Sequence, residues 1–130
     1  MATFLLDTNI VIDVLNNKRR RPALLRELLD AGHELACCPI NVTEVYAGMR
    51  PNEETATEAL IDSLRFYPIS LPAARLAGGL KREYRRRGAT LNLGDVMIAA
   101  VAIHNQLFLI TDNVKDFPMD NLSLYPLPPA

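Results

Sequence analysis

The chain has 130 residues, 49 % of them hydrophobic and 22 % charged, a composition typical of one globular domain with a buried core. A net charge of −1 argues against a protein that holds nucleic acid by bulk charge alone. No segment reaches the roughly 18 consecutive apolar residues of a membrane span, and the N-terminus lacks the basic flank of a secretory signal. We therefore predict a single cytoplasmic domain over residues 1–130, with no membrane association.

The first part of the chain alternates apolar runs with helical patterns. Residues 4–7 predict a short buried strand that ends on Asp7, and apolar residues at helical spacing predict a helix directly after it. A second helix begins at Pro22 and ends at Gly32. The run ELACC, residues 34–38, predicts the second strand, in which the two adjacent cysteines point to opposite faces and stay free.

Two helices and a third strand are predicted next. Pro39 ends the second strand, and Asn41 has the residue type to cap the helix that follows. Another helix opens at Asn52, and the run FYPIS, residues 66–70, predicts the third strand. A long helix then begins at Pro72 and becomes strongly basic towards its end.

The last part of the chain carries the most apolar helix. This helix starts at about Gly94, and the run LFLIT, residues 107–111, predicts the fourth strand. Residues 122–125 predict a short fifth strand before a proline-rich end. Short strands that alternate with helices favour an α/β fold, a three-layer α/β/α sandwich with a mostly parallel sheet of four to five strands.

Carboxylates occur where the predicted strands end. Asp7 ends the first strand, Glu44 and Asp95 fall in the first turns of two helices, and Asp112 and Asp116 follow the fourth strand. The carboxyl ends of parallel strands form one edge of a sheet, so we expect these side chains to converge there. Helix capping explains a carboxylate such as Glu44 or Asp95 alone. It does not explain Asp7, which interrupts an apolar segment.

A cluster of carboxylates must either take up protons or share a cation, because the charges repel. Oxygen ligands without histidine or cysteine suit Mg²⁺ or Mn²⁺, and the two histidines, His33 and His104, lie far from the acids in sequence. Such a site can activate water and neutralise charge on a phosphodiester. The residues themselves therefore favour nuclease chemistry without a protein nucleophile.

Two basic segments, residues 18–21 and 81–87, hold nine of the fourteen basic residues. Charged runs of this kind usually form a solvated surface. Their alternative role is to grip backbone phosphates on both sides of a scissile bond. Within the second segment, Arg82, Arg85 and Arg86 have the spacing of one helix face, which makes them candidates for contact with RNA.

Four segments in order resemble the four motifs of PIN-domain ribonucleases, and among these the VapC-type toxins of toxin–antitoxin pairs. They are FLLDTNIVID, NVTEVYAG, LGDVMIAAVA and LFLITDNVKDF, and the resemblance covers essentially the whole chain. It implies the PIN-like sandwich, Mg²⁺- or Mn²⁺-dependent endoribonuclease activity on an RNA substrate, and a small antitoxin protein that blocks the acidic pocket. It also implies a homodimer, and it adds the antitoxin as a second possible partner of the basic helix face.

The same resemblance assigns roles to individual residues. Three acids match the family's first three acidic positions and are implied to be catalytic and metal-binding: Asp7, Glu44 and Asp95. Supporting roles in the pocket are implied for Thr8, Asn9 and Thr111.

The fourth acidic position is ambiguous, because the place where many PIN domains have an aspartate holds Asn113. We rank Asp116 first as the catalytic and metal-binding acid and Asp112 second. Asn113 remains a candidate neutral ligand.

Three other functions compete with a nuclease. The DTN triplet is similar to that of phosphatases with an aspartate nucleophile, but these need a second carboxylate where Asn9 stands. A receiver domain needs an aspartate at the end of the third strand, and FYPIS has none. The remaining alternative is a non-catalytic module of the same fold that binds RNA or a protein through its basic segments.

Overall fold

The structure, a computed structural model, describes residues 1–127, so the last three residues of the proline-rich end lie outside the described part. The strands and helices run in the order β1 (Thr3–Leu6), α1 (Thr8–Leu15), α2 (Arg21–Asp30), β2 (Glu34–Cys37), α3 (Pro39–Ala47), α4 (Glu54–Ser63), β3 (Arg65–Phe66), α5 (Leu71–Arg86), α6 (Leu93–His104), β4 (Phe108–Ile110) and β5 (Ser123–Leu124). Single turns of 3₁₀ helix cover Pro51–Glu53 and Val114–Asp116.

The five strands form one sheet in the order β3-β2-β1-β4-β5, and every neighbouring pair is parallel. β1 lies at the centre, where Leu5 is in register with Ala36 of β2 and Leu109 of β4. The predicted α/β sandwich with a parallel sheet is confirmed. None of the helices in residues 1–127 is long and apolar enough to cross a membrane.

Side chains of the strands alternate between two apolar clusters, one on each face of the sheet. Leu5 packs with α5 and α6 on one face, whereas Phe4 and Leu6 pack with α1 to α4 on the other. The neighbouring Cys37 and Cys38 divide between the two clusters in the same way, and both are buried free thiols, as predicted. The sheet is therefore covered on both sides, which leaves its carboxyl edge for a site.

The third strand is much shorter than predicted. Only Arg65 and Phe66 form β3, and the N–H of Tyr67 adds one bond to the carbonyl of Cys37 at 2.9 Å. Pro68 has no N–H to donate, so pairing stops there. The remainder of FYPIS leads into α5, which continues without a break through its Gly–Gly pair to residue 86.

Candidate active site

The ends of β1 and β4 meet at the carboxyl edge through Asp7. Its backbone N–H donates to the carbonyl of Ile110 at 2.9 Å. Its side chain is the N-cap of α1: Oδ1 accepts from the N–H of Thr8 at 2.9 Å, and Oδ2 accepts from the Thr111 hydroxyl at 2.7 Å. Asp7 is 5 % exposed, whereas Asn9 in the same turn is exposed. The chain reverses its winding direction between β1 and β4, the place where such sheets bind ligands.

Asn41 joins this point to α3. Its Oδ1 accepts from the N–H of Cys38 at 2.9 Å, and its Nδ2 donates to the carbonyl of Leu6 at 2.6 Å. Asn41 is not the N-cap that we predicted, because α3 begins at Pro39 with Cys38 as its N-cap; Asn41 instead makes the return bond of a capping box from the third helical position. The fully buried Asn41 also fixes α3 against the residue that precedes Asp7.

We expect Asn41→Ala to lower the free energy of unfolding by about 2–6 kcal/mol, because two backbone groups lose a buried partner at about 1–3 kcal/mol each. Urea denaturation measures this loss. The matched control is Asn105→Ala, since Asn105 donates only to Val101 of its own helix. An equal loss in both variants would show that Asn41 contributes no more than a helix-end asparagine.

Glu44 lies in the second turn of α3, not in the first turn as predicted, so helix capping does not account for it. The Thr8 hydroxyl donates to its Oε1 at 2.6 Å. The start of α6 comes close on the other side: a Cβ added to Gly94 would lie 3.8 Å from Glu44 Oε2 and 3.1 Å from Asn92 Oδ1. Glu44 therefore stands between the first turns of α1 and α6.

Asp95 lies in the first turn of α6, where capping was the competing explanation. Asn92 is the N-cap, and its Oδ1 accepts from the N–H of Gly94 at 2.8 Å. The return bond of a capping box, from the Asp95 carboxylate to the backbone of Asn92, is not formed. Capping thus explains Asn92 and leaves the carboxylate of Asp95 available.

The charges of the acids converge on Asp95. Burial is the largest cause that raises the pKa of Asp95 to about 6, and repulsion from Asp7, Asp116 and Glu44 adds to it. Burial is also the largest cause that raises the pKa of Asp7. Repulsion of this kind requires carboxylates in a common neighbourhood. Asp7, Glu44 and Asp116 thus lie close enough to Asp95 for their charges to act on it, and Glu44 and Asp112 act on Asp7 in the same way.

Asp112 and Asp116 have different surroundings in the segment after β4. Asp112 accepts from Nη2 of Arg21 at 2.5 Å and from Nη1 of Arg19 at 3.3 Å. Asp116 ends a 3₁₀ turn in which its N–H donates to the carbonyl of Asn113 at 2.9 Å. Because two arginines already hold Asp112, Asp116 is the acid of this segment that remains available to the cluster.

The donor set fits a hard divalent cation, because four carboxylates supply oxygen ligands and their repulsion would be relieved by positive charge. Within residues 1–127, no three acidic, histidine or cysteine side chains stand close enough together to hold an ion as they are placed. Asp7 and Glu44 are held by hydrogen bonds, so the partly exposed side chains of Asp95 and Asp116 would turn towards a bound cation.

The basic end of α5 is attached to both segments that carry the later acids. Lys81 Nζ donates to the carbonyl of Leu91, just before α6, and the Tyr84 hydroxyl donates to the carbonyl of Pro118, just after Asp116. Four arginines of this end are exposed: Arg82, Arg85, Arg86 and Arg87. Of these, Arg86 and Arg87 pair with Glu83, each at 3.4 Å.

A family model of the PIN domain matches residues 4–118. The chain belongs to the PIN-domain family. This PIN domain is 36 % identical over 115 residues to Ribonuclease VapC19 of Mycobacterium tuberculosis, a match that spans 88 % of this chain and 92 % of the relative. The resemblance drawn from the four motifs is thereby confirmed.

Solved structures of similar fold are toxin–antitoxin complexes. One of them is VapBC2 from Rickettsia felis, bound to a DNA fragment from the promoter. It matches this PIN domain with a TM-score of 0.84 and 25 % identity, over 95 % of this chain and 97 % of that chain. A toxin–antitoxin complex from Klebsiella pneumoniae matches with a TM-score of 0.74 and 30 % identity over 94 % and 95 % of the two chains.

Two contributors to the site were not found by the sequence analysis. Asn41 was taken for a helix cap, and Arg21 was counted only as part of a basic segment. Their partners lie 35 and 91 residues away in sequence, so no local pattern could identify them.

Proposed function

We propose that this PIN domain is an endoribonuclease that hydrolyses RNA phosphodiester bonds and acts as the toxin of a toxin–antitoxin pair. The observation that carries the proposal is the convergence of Asp7, Glu44, Asp95 and Asp116 at the switch point of the sheet. The name of the relative VapC19 and the toxin–antitoxin complexes of similar fold support the same function.

In this proposal the acids divide between two roles. Asp7, Asp95 and Asp116 bind the divalent cation, and Glu44 positions or deprotonates the attacking water. Thr8 holds one oxygen of Glu44, which leaves Oε2 to accept the proton. Thr111 holds Asp7 in one orientation through its hydroxyl.

A bound Mg²⁺ or Mn²⁺ would supply charge neutralisation at the phosphate and a more acidic water. The protein's own contribution is to hold Asp7 and Glu44 in place beforehand. Asp7 gains its fixed position from the β1 and β4 ends, and Glu44 gains its position from Asn41 and Thr8. Asn113 is the candidate for a neutral ligand of the cation.

The RNA backbone is proposed to lie along the exposed arginines at the end of α5, Arg82, Arg85 and Arg86. Support comes from the two hydrogen bonds that attach this end of the helix to the segments of Asp95 and Asp116. A small antitoxin would compete for the same acidic pocket. The homodimer and the cytoplasmic location remain predictions from the sequence.

The function is tested by incubating end-labelled total RNA with antitoxin-free protein in Mg²⁺, Mn²⁺ or EDTA. We expect discrete cuts in either metal and none above background in EDTA, because oxygen-only sites need a hard cation for this chemistry. Asp120→Asn is the matched control, since Asp120 is an exposed aspartate beyond residues 111–116, the acidic segment that carries Asp112 and Asp116. It should cut at the same positions as wild type.

The alternative is the non-catalytic module. It predicts RNA binding without cuts in any metal, and binding that an Arg82, Arg85 and Arg86 triple alanine variant weakens. Discrete cuts lost in EDTA would exclude it.

A further inference from the structure

The buried arginine of the first basic segment has a position unlike that of a solvated charge. Among residues 1–127, Arg21 is the one basic residue that is buried, with 6 % of its side chain exposed. Its Nη2 donates to Asp112 Oδ1 at 2.5 Å. Arg19 reaches the other oxygen of Asp112 at 3.3 Å, but its side chain is 55 % exposed, so that contact contributes little.

The turn before Arg21 has a backbone conformation of high energy. Asn17, Arg19 and Arg20 have φ values of 52°, 54° and 58°, a left-handed conformation that costs about 1 kcal/mol or more for each residue other than glycine. In addition, Nε of Arg21 is buried without a hydrogen-bond partner in the described part of the chain. Such costs persist where the surrounding structure holds them, and they concentrate at functional sites.

Asp112, the partner of Arg21, lies within residues 111–116, between Thr111 and Asp116. Asp112 stands between Thr111, whose hydroxyl donates to Asp7, and Asn113, whose N–H donates back to the Thr111 hydroxyl oxygen at 2.9 Å. The 3₁₀ turn that ends on Asp116 begins directly after Asn113. The ion pair thus holds the segment at Asp112. Thr111, on one side of it, contacts Asp7, and Asp116, on the other side, belongs to the acid cluster.

We propose that Arg21 is a positioning residue of the acid cluster: by holding Asp112, it fixes the segment that places Thr111 against Asp7 and Asp116 opposite Asp95. The inference rests on the proposed function, because it assigns a cause to the arrangement of the cation-binding acids. It also gives Asp112 a structural role outside the ligand set.

Two physical effects of Arg21 on cation binding have opposite signs, which makes the proposal testable. Removal of a positive charge beside an acid cluster would by itself strengthen cation binding. Loss of the fixed segment would weaken it, and partners that orient metal ligands typically contribute about 10- to 100-fold in affinity. We expect Arg21→Met to weaken Mn²⁺ binding by about 10- to 100-fold, which is the positioning result.

The measurement is calorimetric titration of Mn²⁺ into each protein, well below the thermal midpoint of the least stable variant. Arg19→Met is the matched control, because it removes the same charge from the same Asp112 but only an exposed contact; it should bind Mn²⁺ like wild type. Asp112→Asn keeps an oxygen acceptor but leaves the buried guanidinium of Arg21 without its counter-charge, so it should weaken Mn²⁺ binding in the same direction as Arg21→Met. A loss well beyond that of Arg21→Met would instead make Asp112 a ligand.

A second variant guards against a folding failure. Arg21→Met with Asp112→Leu removes both charges, so no buried charge is left unpaired, and it should still bind Mn²⁺ weakly. In an Asp116→Asn background, Arg21→Met should cause a smaller further loss than in wild type, because one of the two residues it positions is already removed.

Equal or tighter Mn²⁺ binding by Arg21→Met, or additive losses with Asp116→Asn, would overturn the positioning role while the proposed nuclease stands. A wild-type protein that binds no Mn²⁺ and cuts no RNA would overturn both.

Discussion

Asp7→Asn is expected to lower the rate of RNA cleavage by about 1,000-fold, which corresponds to about 4 kcal/mol of transition-state stabilisation. The substitution removes the one carboxylate of the cluster that both strand ends hold in place. Cleavage of a labelled RNA under single-turnover conditions measures the loss. Residual cleavage near the wild-type rate would remove Asp7 from the catalytic group.

The same substitution should leave the fold intact, which separates catalysis from stability. Asparagine is as good an N-cap as aspartate, so its oxygen can accept from the N–H of Thr8. Burial raises the pKa of Asp7, so a neutral side chain removes a cost of folding. This gain offsets the loss of Oδ2 as the acceptor of the Thr111 hydroxyl, so Asp7→Asn should have a stability close to that of wild type in EDTA at pH 7.5. A variant that unfolded readily would make its lost activity uninformative.

The convergence of the acids could be predicted because it follows from topology. A parallel sheet brings its strand ends to one edge, so Asp7 and the segment after β4 had to meet once the strands were recognised. The hydrogen bond from Thr111 to Asp7 spans 104 residues, yet both residues directly follow strands. Local pattern and global topology agree at this point.

The supports of the acids could not be predicted in the same way. Asn41 fits a local capping pattern, and only the three-dimensional structure shows that its amide reaches Leu6. A capping box was a reasonable interpretation of Asn92 and Asp95, and half of it is formed. What the sequence lacks is the identity of the partner, since a polar side chain can satisfy its hydrogen bonds locally or across the fold.

The predicted length of the third strand was wrong for a related reason. FYPIS has the β-branched and aromatic residues of a strand, but it lies at the edge of the sheet, where one neighbour supports pairing. Phe66 is largely exposed there, and Pro68 ends the ladder. A strand propensity without burial did not extend the strand beyond two residues.

Asp95→Asn should have opposite effects on cation binding and on the stability of the metal-free protein. Loss of a ligand should weaken Mn²⁺ binding by at least about 100-fold, the upper end of what outer partners of metal ligands contribute. The free energy of unfolding in EDTA at pH 7.5 should rise, because burial and repulsion penalise the charged form of Asp95.

The pH dependence fixes the sign of the stability effect. Asp95 has a pKa of about 6 in the folded protein and 3.8 as its ordinary value, so between these values the folded state binds the proton more tightly. Wild-type stability therefore falls as the pH rises through this window. The advantage of Asp95→Asn should be largest above pH 6 and vanish below the ordinary value.

Denaturant unfolding of wild type and Asp95→Asn in EDTA across this pH range measures the effect. Added Mn²⁺ should stabilise wild type but not Asp95→Asn. A carboxylate that served only the helix N-terminus would behave differently, since its removal would destabilise the protein at neutral pH. Lower stability of Asp95→Asn at pH 7.5 without metal would therefore identify Asp95 as a structural residue. Higher stability would show that the Asp95 carboxylate lowers the free energy of unfolding in the absence of metal, as expected for a cation ligand.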